Sequence, residues 1–243
     1  MTQQTLRAYP VWDRTVRVFH WVSVLCIALL TVFGVLLMTS DALDISNDGK
    51  VILKTLHVYV GYVFVITLAW RLVWTFLGSR FSRWRAILPI GKVYKAQFQA
   101  TIEGHKIGRR VRFLGHSPLA RMMVTALLLL MTAQAVTGLV LSSTFYMPPF
   151  GNQIKTWIAE DPASIELIKP YSKEGINEAA YKEMREWRQP YRSAHEWIFY
   201  LLMILIPVHI AAAIYIDVTQ RNAVISAMFT GEKLFEEKPF DAD

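Results

Sequence analysis

Residues 194–216 read AHEWIFYLLMILIPVHIAAAIYI. The stretch is apolar apart from Glu196 at its start and two histidines, His195 and His209. As a helix it is long enough to cross about 30 Å of hydrocarbon. Pro207 lies inside it, where a kink is expected; membrane spans tolerate this better than soluble helices do. From His195 to His209 a helix makes nearly four full turns. Both imidazoles therefore share one face, separated by about 21 Å along the axis. A span carrying two imidazoles at two depths calls for partners at both depths.

The remaining sequence offers three further spans, roughly 16–38, 55–77 and 120–141. Over half of the 243 residues are apolar, 19% are charged, mean hydropathy is positive, and 8 Trp, 10 Tyr and 13 Phe enrich the chain in aromatics. That profile suits a polytopic membrane protein. The fold class is therefore all-α: a four-helix transmembrane bundle, read as one membrane domain over residues 1–243. The segment 1–16 is polar and the apolar run after it has no small-residue cleavage site, so that run is expected to remain as a span. The single cysteine, Cys26, forbids an internal disulfide, and no CxxCH motif is present for covalent haem attachment.

The net charge of +7 does not point to nucleic acid, because the basic residues are gathered in particular links. The link 78–119 carries Arg80, Arg83, Arg85, Lys92, Lys95, Lys106, Arg109, Arg110 and Arg112 against Glu103 alone. Arg7, Arg14 and Arg17 precede span one. The link 39–54 holds Lys50 and Lys54 with three aspartates, and the link 142–193 balances seven basic against seven acidic residues. The excess of Lys and Arg places both termini and the 78–119 link in the cytoplasm, and the 142–193 link outside. Within that outer link, Pro148-Pro149 and Gly151 mark a turn and 177–188 has the pattern of a short helix. A loop of this length is usually functional.

With this topology, His20 and His209 lie near the cytoplasmic ends of their spans, and His57 and His195 near the outer ends. Two pairs at two depths are what two haems, each held between two neutral imidazoles, require. The competing reading of any one histidine, a hydrogen bond to a neighbouring helix, does not account for the pairing. No carboxylate lies deep in a span, which excludes a di-metal carboxylate site, and no depth offers enough ligands for zinc. Gly34 follows His20 by the same nearly whole number of turns, which puts it at the depth of the outer pair. A missing side chain there lets a macrocycle approach. Helix packing is the competing reading. Arg71 follows His57 at that spacing too, at the depth of the inner pair, where a haem propionate would satisfy its charge. Snorkelling to the surface competes. Arg17, Lys54 and Arg192 each stand three residues before a histidine and could also meet propionates, with interfacial anchoring as the alternative. His105 reads as solvated. His116 reads as part of a helix start, with Ser117 the N-cap and Pro118 the first helical residue.

Taken in order, several short segments resemble one family. They are Val11-Trp12-Asp13-Arg14 leading to Phe19-His20-Trp21, Leu56-His57 with Gly61-Tyr62, and Trp70-Arg71-Leu72 leading to Gly78-Ser79-Arg80. Then come Gly115-His116-Ser117-Pro118-Leu119-Ala120, His195-Glu196, His209, and Arg221-Asn222 with Ala227-Met228-Phe229-Thr230-Gly231. The chain resembles the superfamily of bacterial cytochrome b561 and the b-type cytochrome subunits of Ni-Fe hydrogenases. The resemblance implies two non-covalent haems b, ligated by His20, His57, His195 and His209. It implies a multi-pass protein of the bacterial inner membrane that links quinone to a periplasmic redox protein: a hydrogenase, a c-type cytochrome or another oxidoreductase. The expected role is that of an electron-transfer subunit. A quinone is expected near the inner haem, beside Trp12, Arg17, Arg71 and Trp74. The rival readings are a stand-alone superoxide–quinone oxidoreductase, a histidine-relay transporter and a structural anchor. A homo-oligomer is left open.

Overall fold

The computed structural model describes residues 6–220 and 223–242. The Arg221-Asn222 pair of the family pattern lies outside the described residues. The elements run as β1 (Arg7–Pro10), α1 (Arg14–Met38), α2 (Asn47–Leu77), the single-turn α3 (Trp84–Ile87), α4 (Gly91–Lys106), α5 (Pro118–Ser143), α6 (Gly151–Ile158), α7 (Glu178–Gln220), the single-turn α8 (Ala227–Thr230) and β2 (Glu232–Phe235). Among the described residues, α1, α2, α5 and α7 are the helices long and apolar enough to span a membrane. They form the four-helix bundle expected from the sequence, with a short antiparallel ribbon added at the termini.

Three boundaries differ from the sequence reading. Helix α2 starts at Asn47, well before residue 55. Segment 177–188 is not a separate helix but the first part of α7, which continues unbroken through Pro190 and Pro207. At 43 residues, α7 is about 64 Å long, twice what a bilayer needs. The basic link 78–119 is not loop alone, because it contains the 16-residue α4. The start of α5 is as expected: Pro118 opens the helix, and Ala120 donates its N–H to Ser117 Oγ at 3.3 Å.

The chain divides into two compact units, and α1, α2, α5 and α7 contribute residues to both. The first unit comprises residues 1–23, 67–129 and 203–243. Here β1 and β2 pair antiparallel, with Arg7 opposite Phe235 and Pro10 opposite Glu232. Val11, Leu114, Ala227 and Phe235 form a small core beneath the ribbon, with Tyr9, Trp12 and Phe81 against it. The polar backbone of this core is satisfied from the C-terminal tail. Asp241 accepts the N–H groups of Leu114 and Gly115, and Lys233 Nζ donates to their carbonyls at 2.7 and 3.1 Å. Gly115 is required, because a Cβ there would stand 2.5 Å from the Phe81 ring.

One carboxylate ties this unit together. Asp13 accepts from Val16 N–H (2.9 Å), Trp74 Nε1 (3.1 Å), Ser79 Oγ (2.7 Å) and Ser82 Oγ (2.6 Å). The first contact caps the N-terminus of α1, and the others fasten it to the end of α2 and the turn beyond. Partial burial raises the carboxyl's pKa, but the four hydrogen bonds outweigh it and hold the group down to about 2.

The second unit comprises residues 24–66 and 130–202. Its extramembrane part is a folded cap. Ile154, Ile158, Ile168 and Met184 form its core, packed against Tyr146, Ile176 and Tyr181. Asn177 N–H donates to Ile158 O, and Glu160 N–H to Gly175 O. The cap is pinned to the helices at the Pro148 carbonyl, which accepts from Tyr62 Oη and Ser142 Oγ.

Asp13→Ala is expected to lower the stability of the purified protein by about 1–3 kcal/mol, the usual cost of removing charged hydrogen-bond partners. Because the carboxyl titrates at about 2 instead of its ordinary 3.8, its contribution is complete above about pH 4 and is lost as pH falls towards 2. That pH-dependent part amounts to about 1–2 kcal/mol, allowing for partial exposure. Thermal unfolding midpoints recorded from pH 7 to pH 2 should fall more steeply for the wild type than for Asp13→Asn.

Candidate functional site

The second unit brings His57 of α2 and His195 of α7 together, edge to face. Their ring centres are 6.4 Å apart with planes at 69°. A metal–imidazole bond is about 2.0 Å long, so two rings holding one ion from opposite sides have centres roughly 6–7 Å apart. Helix α5, which has no histidine, supplies the surroundings of His195. Thr137 Oγ1 lies 2.9 Å from Nδ1 and Gln134 Nε2 lies 3.1 Å from Nε2. The Thr137 hydroxyl donates to the Ala133 carbonyl at 2.9 Å, so towards His195 it accepts. That arrangement assigns the proton to Nδ1 and leaves the lone pair on Nε2, the tautomer that binds a metal through Nε2. The nearby Gln134 amide donates to that lone pair, a place a metal would take over.

Two glycines clear the space. A Cβ on Gly34 would stand 3.8 Å from His57 Cε1, and one on Gly138 would stand 3.3 Å from His195 Cε1. The first is expected from its spacing. The second is not, and neither are Gln134 and Thr137, although the run Gln134-x-x-Thr137-Gly138 places polar and small residues on one helical face of an apolar span. His57 Nδ1 is buried and makes no well-aligned hydrogen bond, with the Leu30 backbone within reach of the ring.

The first unit brings His20 of α1 and His209 of α7 close enough to interact electrostatically. His20 Nδ1 is also buried and unpartnered, and its ring meets Trp21 edge-on with centres 5.2 Å apart. Arg71 is buried, donates to the Ser82 carbonyl at 3.3 Å and lies over the Phe19 ring. His116 is more than a helix start. Its ring packs on Trp12 with centres 4.7 Å apart, and Lys233 Nζ lies 5.6 Å from the centre of the same indole. Burial and the cations Lys233, Arg71 and Arg121 push His116 down to about 3, so it is neutral. Burial likewise lowers Lys233 to about 8, with Asp241 opposing. Lys233 and Arg121 are buried cations that no sequence pattern singles out.

The other expected residues are placed as follows. Arg17 donates through Nη1 to the Phe229 carbonyl. Lys54 donates to Tyr171 Oη at 2.7 Å and lies over the Phe145 and Tyr171 rings, which ties it to the folded cap. Arg192 is exposed on α7. His105 is exposed, as expected. Trp74 is engaged by Asp13 and Trp12 by His116 and Lys233, so these two rings stand in closed contacts.

Residues 11–231 match the family described as prokaryotic cytochrome b561. The chain belongs to that family. It is accordingly a membrane-spanning b-type cytochrome of electron transport. Similar proteins include three named probable Ni/Fe-hydrogenase B-type cytochrome subunit. That of Bradyrhizobium diazoefficiens is 26% identical, covering 93% of this chain and 86% of its own length. That of Cupriavidus necator is 23% identical, covering 96% and 90%. That of Escherichia coli K12, the hydrogenase 1 subunit, is 28% identical over 56% of this chain and 61% of its own length. No solved structure matches. The residues fit the haem that membership implies: paired imidazoles, an Nε2 lone pair available for iron, glycines beside both rings and a buried, unpartnered ring nitrogen on His20.

Enlarging Gly138 should displace the His195 ring. Gly138→Leu is expected to lower the haem b bound per chain, measured by pyridine haemochrome assay. Val136→Leu, which adds bulk on an exposed side of the same helix, should leave it unchanged.

Proposed function

We propose that this chain is a di-haem b cytochrome carrying electrons across the bacterial inner membrane between a periplasmic redox partner and the quinone pool. His57 and His195 hold the outer haem and His20 and His209 the inner one, with both termini in the cytoplasm. The observation that carries the reading is the His57–His195 pair, 6.4 Å between ring centres with the Nε2 lone pair of His195 released by Thr137. The relatives' names point to a hydrogenase as the class of partner, docking at the outer cap.

When bound, haem supplies a reversible one-electron change at its iron. The protein's own residues set the conditions for it. Thr137 fixes the orientation and basicity of His195 through the Nδ1–H. Gly34 and Gly138 leave room for the macrocycle. Arg17, Lys54, Arg71 and Arg192 are the cations assigned to haem carboxylates in this reading, with Arg71 the buried member of the set. The folded cap of residues 142–193 is fastened to α2 through Tyr62 and Lys54, and in this reading it is the surface that meets the partner. At the quinone, reduction to quinol consumes two electrons, arriving singly, and two protons from the cytoplasmic side. An oxidisable partner such as a hydrogenase drives flow inwards, and an accepting cytochrome c reverses it.

A reduced-minus-oxidised spectrum of the purified protein should show two haems b per chain. His195→Ala and His209→Ala should each remove one, and the two single losses should leave haems of different midpoint potential. One haem in the wild type, or full haem content in both variants, would sink the assignment.

A further inference from the structure

Of the residues expected beside a quinone, Trp12 and Trp74 are engaged in contacts of their own, whereas Arg17 borders open space. Along the first turns of α1, where it passes the α8 segment, the first unit has an open groove of about 370 Å³. Its walls are Val18, Trp21, Val22 and Phe229, with Arg14 and Arg17 at the rim. We propose that this groove binds the ring of a membrane quinone. The inference rests on the quinone-linked reading above and gives that reaction a place.

Four observations favour this occupant. First, Trp21 and Phe229 are held 4.5 Å apart with planes tilted by 33°, and each presents an exposed surface on which a flat ring can lie. Second, the geometry of the slot is fixed by backbone contacts rather than by the ligand. Trp21 Nε1 donates to the Met228 carbonyl at 3.0 Å, and Arg17 Nη1 donates to that of Phe229. Third, the walls are apolar and the two guanidinium groups, of Arg14 and Arg17, stand only at the rim. A flat neutral ring covers the walls while its carbonyl oxygen accepts from the rim, whereas a phosphate stays at the rim and leaves the walls of Val, Trp and Phe uncovered. Fourth, Trp21 meets His20 edge-on at 5.2 Å, so a ring lying on Trp21 is one indole away from a haem ligand. The volume lies within the usual range of about 300–1,000 Å³ for small-molecule sites. The half-exposed Val18 and Phe229 leave the groove open on the side from which a lipid-dissolved ligand arrives.

The experiment uses the full-length, haem-loaded protein in phosphatidylcholine nanodiscs free of native quinone. An azido-quinone is photolysed and the labelled peptides are mapped, and decyl-ubiquinone is titrated into the wild type, Val18→Trp and Phe229→Ala. The expected result is label on residues 14–22 and 228–229. Val18→Trp, which fills the groove while leaving both backbone contacts in place, should weaken binding at least tenfold with the haem spectrum unchanged. Phe229→Ala should weaken it as well. Label elsewhere, or undiminished binding by Val18→Trp, would overturn the site and leave the electron-transfer reading intact. Loss of binding when phosphatidylglycerol replaces phosphatidylcholine would assign the groove to a lipid headgroup instead. A wild type with both haems that binds no quinone anywhere would overturn the quinone-linked reading itself.

Discussion

Much of the first unit depends on one partly buried carboxylate. Asp13 caps α1 and receives the Trp74 indole and the Ser79 and Ser82 hydroxyls. It thereby sets the rotation and depth at which α1 begins. His20 is two helical turns further on, so its position is set by that start. The same contacts hold the turn after α2, whose Ser82 carbonyl receives Arg71. Immediately before Asp13, the N–H groups of Val11 and Trp12 donate to the Gly231 carbonyl, and Gly231 has a φ of +91° that a side chain would strain. Three of the short segments by which the family is recognised are therefore one set of mutual contacts: Val11-Trp12-Asp13 on one side, with Gly78-Ser79 and Thr230-Gly231 on the other. Their order in the sequence reflects a clasp, although none of them touches a metal site directly.

The legible part of the structure is the part governed by local periodicity. Four apolar runs of span length can only be helices, because lipid offers no partner for a free backbone group. The nearly whole number of turns between His195 and His209 fixes their common face without knowledge of any neighbour. Gly34 follows from the same arithmetic, and its Cα does face His57. What is not legible depends on which helices meet. Nothing in the sequence of α5 says that Gln134, Thr137 and Gly138 surround an imidazole carried by α7. The terminal ribbon joins residues 7–10 to 232–235, a pairing with no local signature. Helix α7 also continues through Pro190. A proline removes one backbone hydrogen bond, and packing of Met184 into the core of the cap keeps the preceding turns in place.

The two histidine pairs sit in different electrostatic surroundings. In the outer pair, His195 has neutral polar neighbours, Gln134 and Thr137. His20 and His209 share their unit with the buried cations Arg71, Arg121 and Lys233, balanced in part by Asp13 and Asp241. His116 is kept neutral there, so it adds no further charge. Positive surroundings stabilise the reduced, more electron-rich form of any one-electron centre, and burial strengthens the effect by lowering the local dielectric.

On the proposed topology this asymmetry has a direction. An electron moving from the outer pair to the inner pair travels towards the negative side of an energised membrane. Each 100 mV of potential opposes a full crossing by about 2.3 kcal/mol. Buried cations at the inner end lower the energy of the arriving electron and offset part of that cost. The cost of burying them is met within the same unit: Lys233 by the Leu114 and Gly115 carbonyls, Arg71 by the Ser82 carbonyl and the Phe19 ring, Arg121 by the Arg85 carbonyl. These hydrogen-bond partners are neutral, and the carboxylates Asp13 and Asp241 offset only part of the charge of the three cations. On the proposed topology, the positive charge that remains in this unit favours an electron at the inner pair.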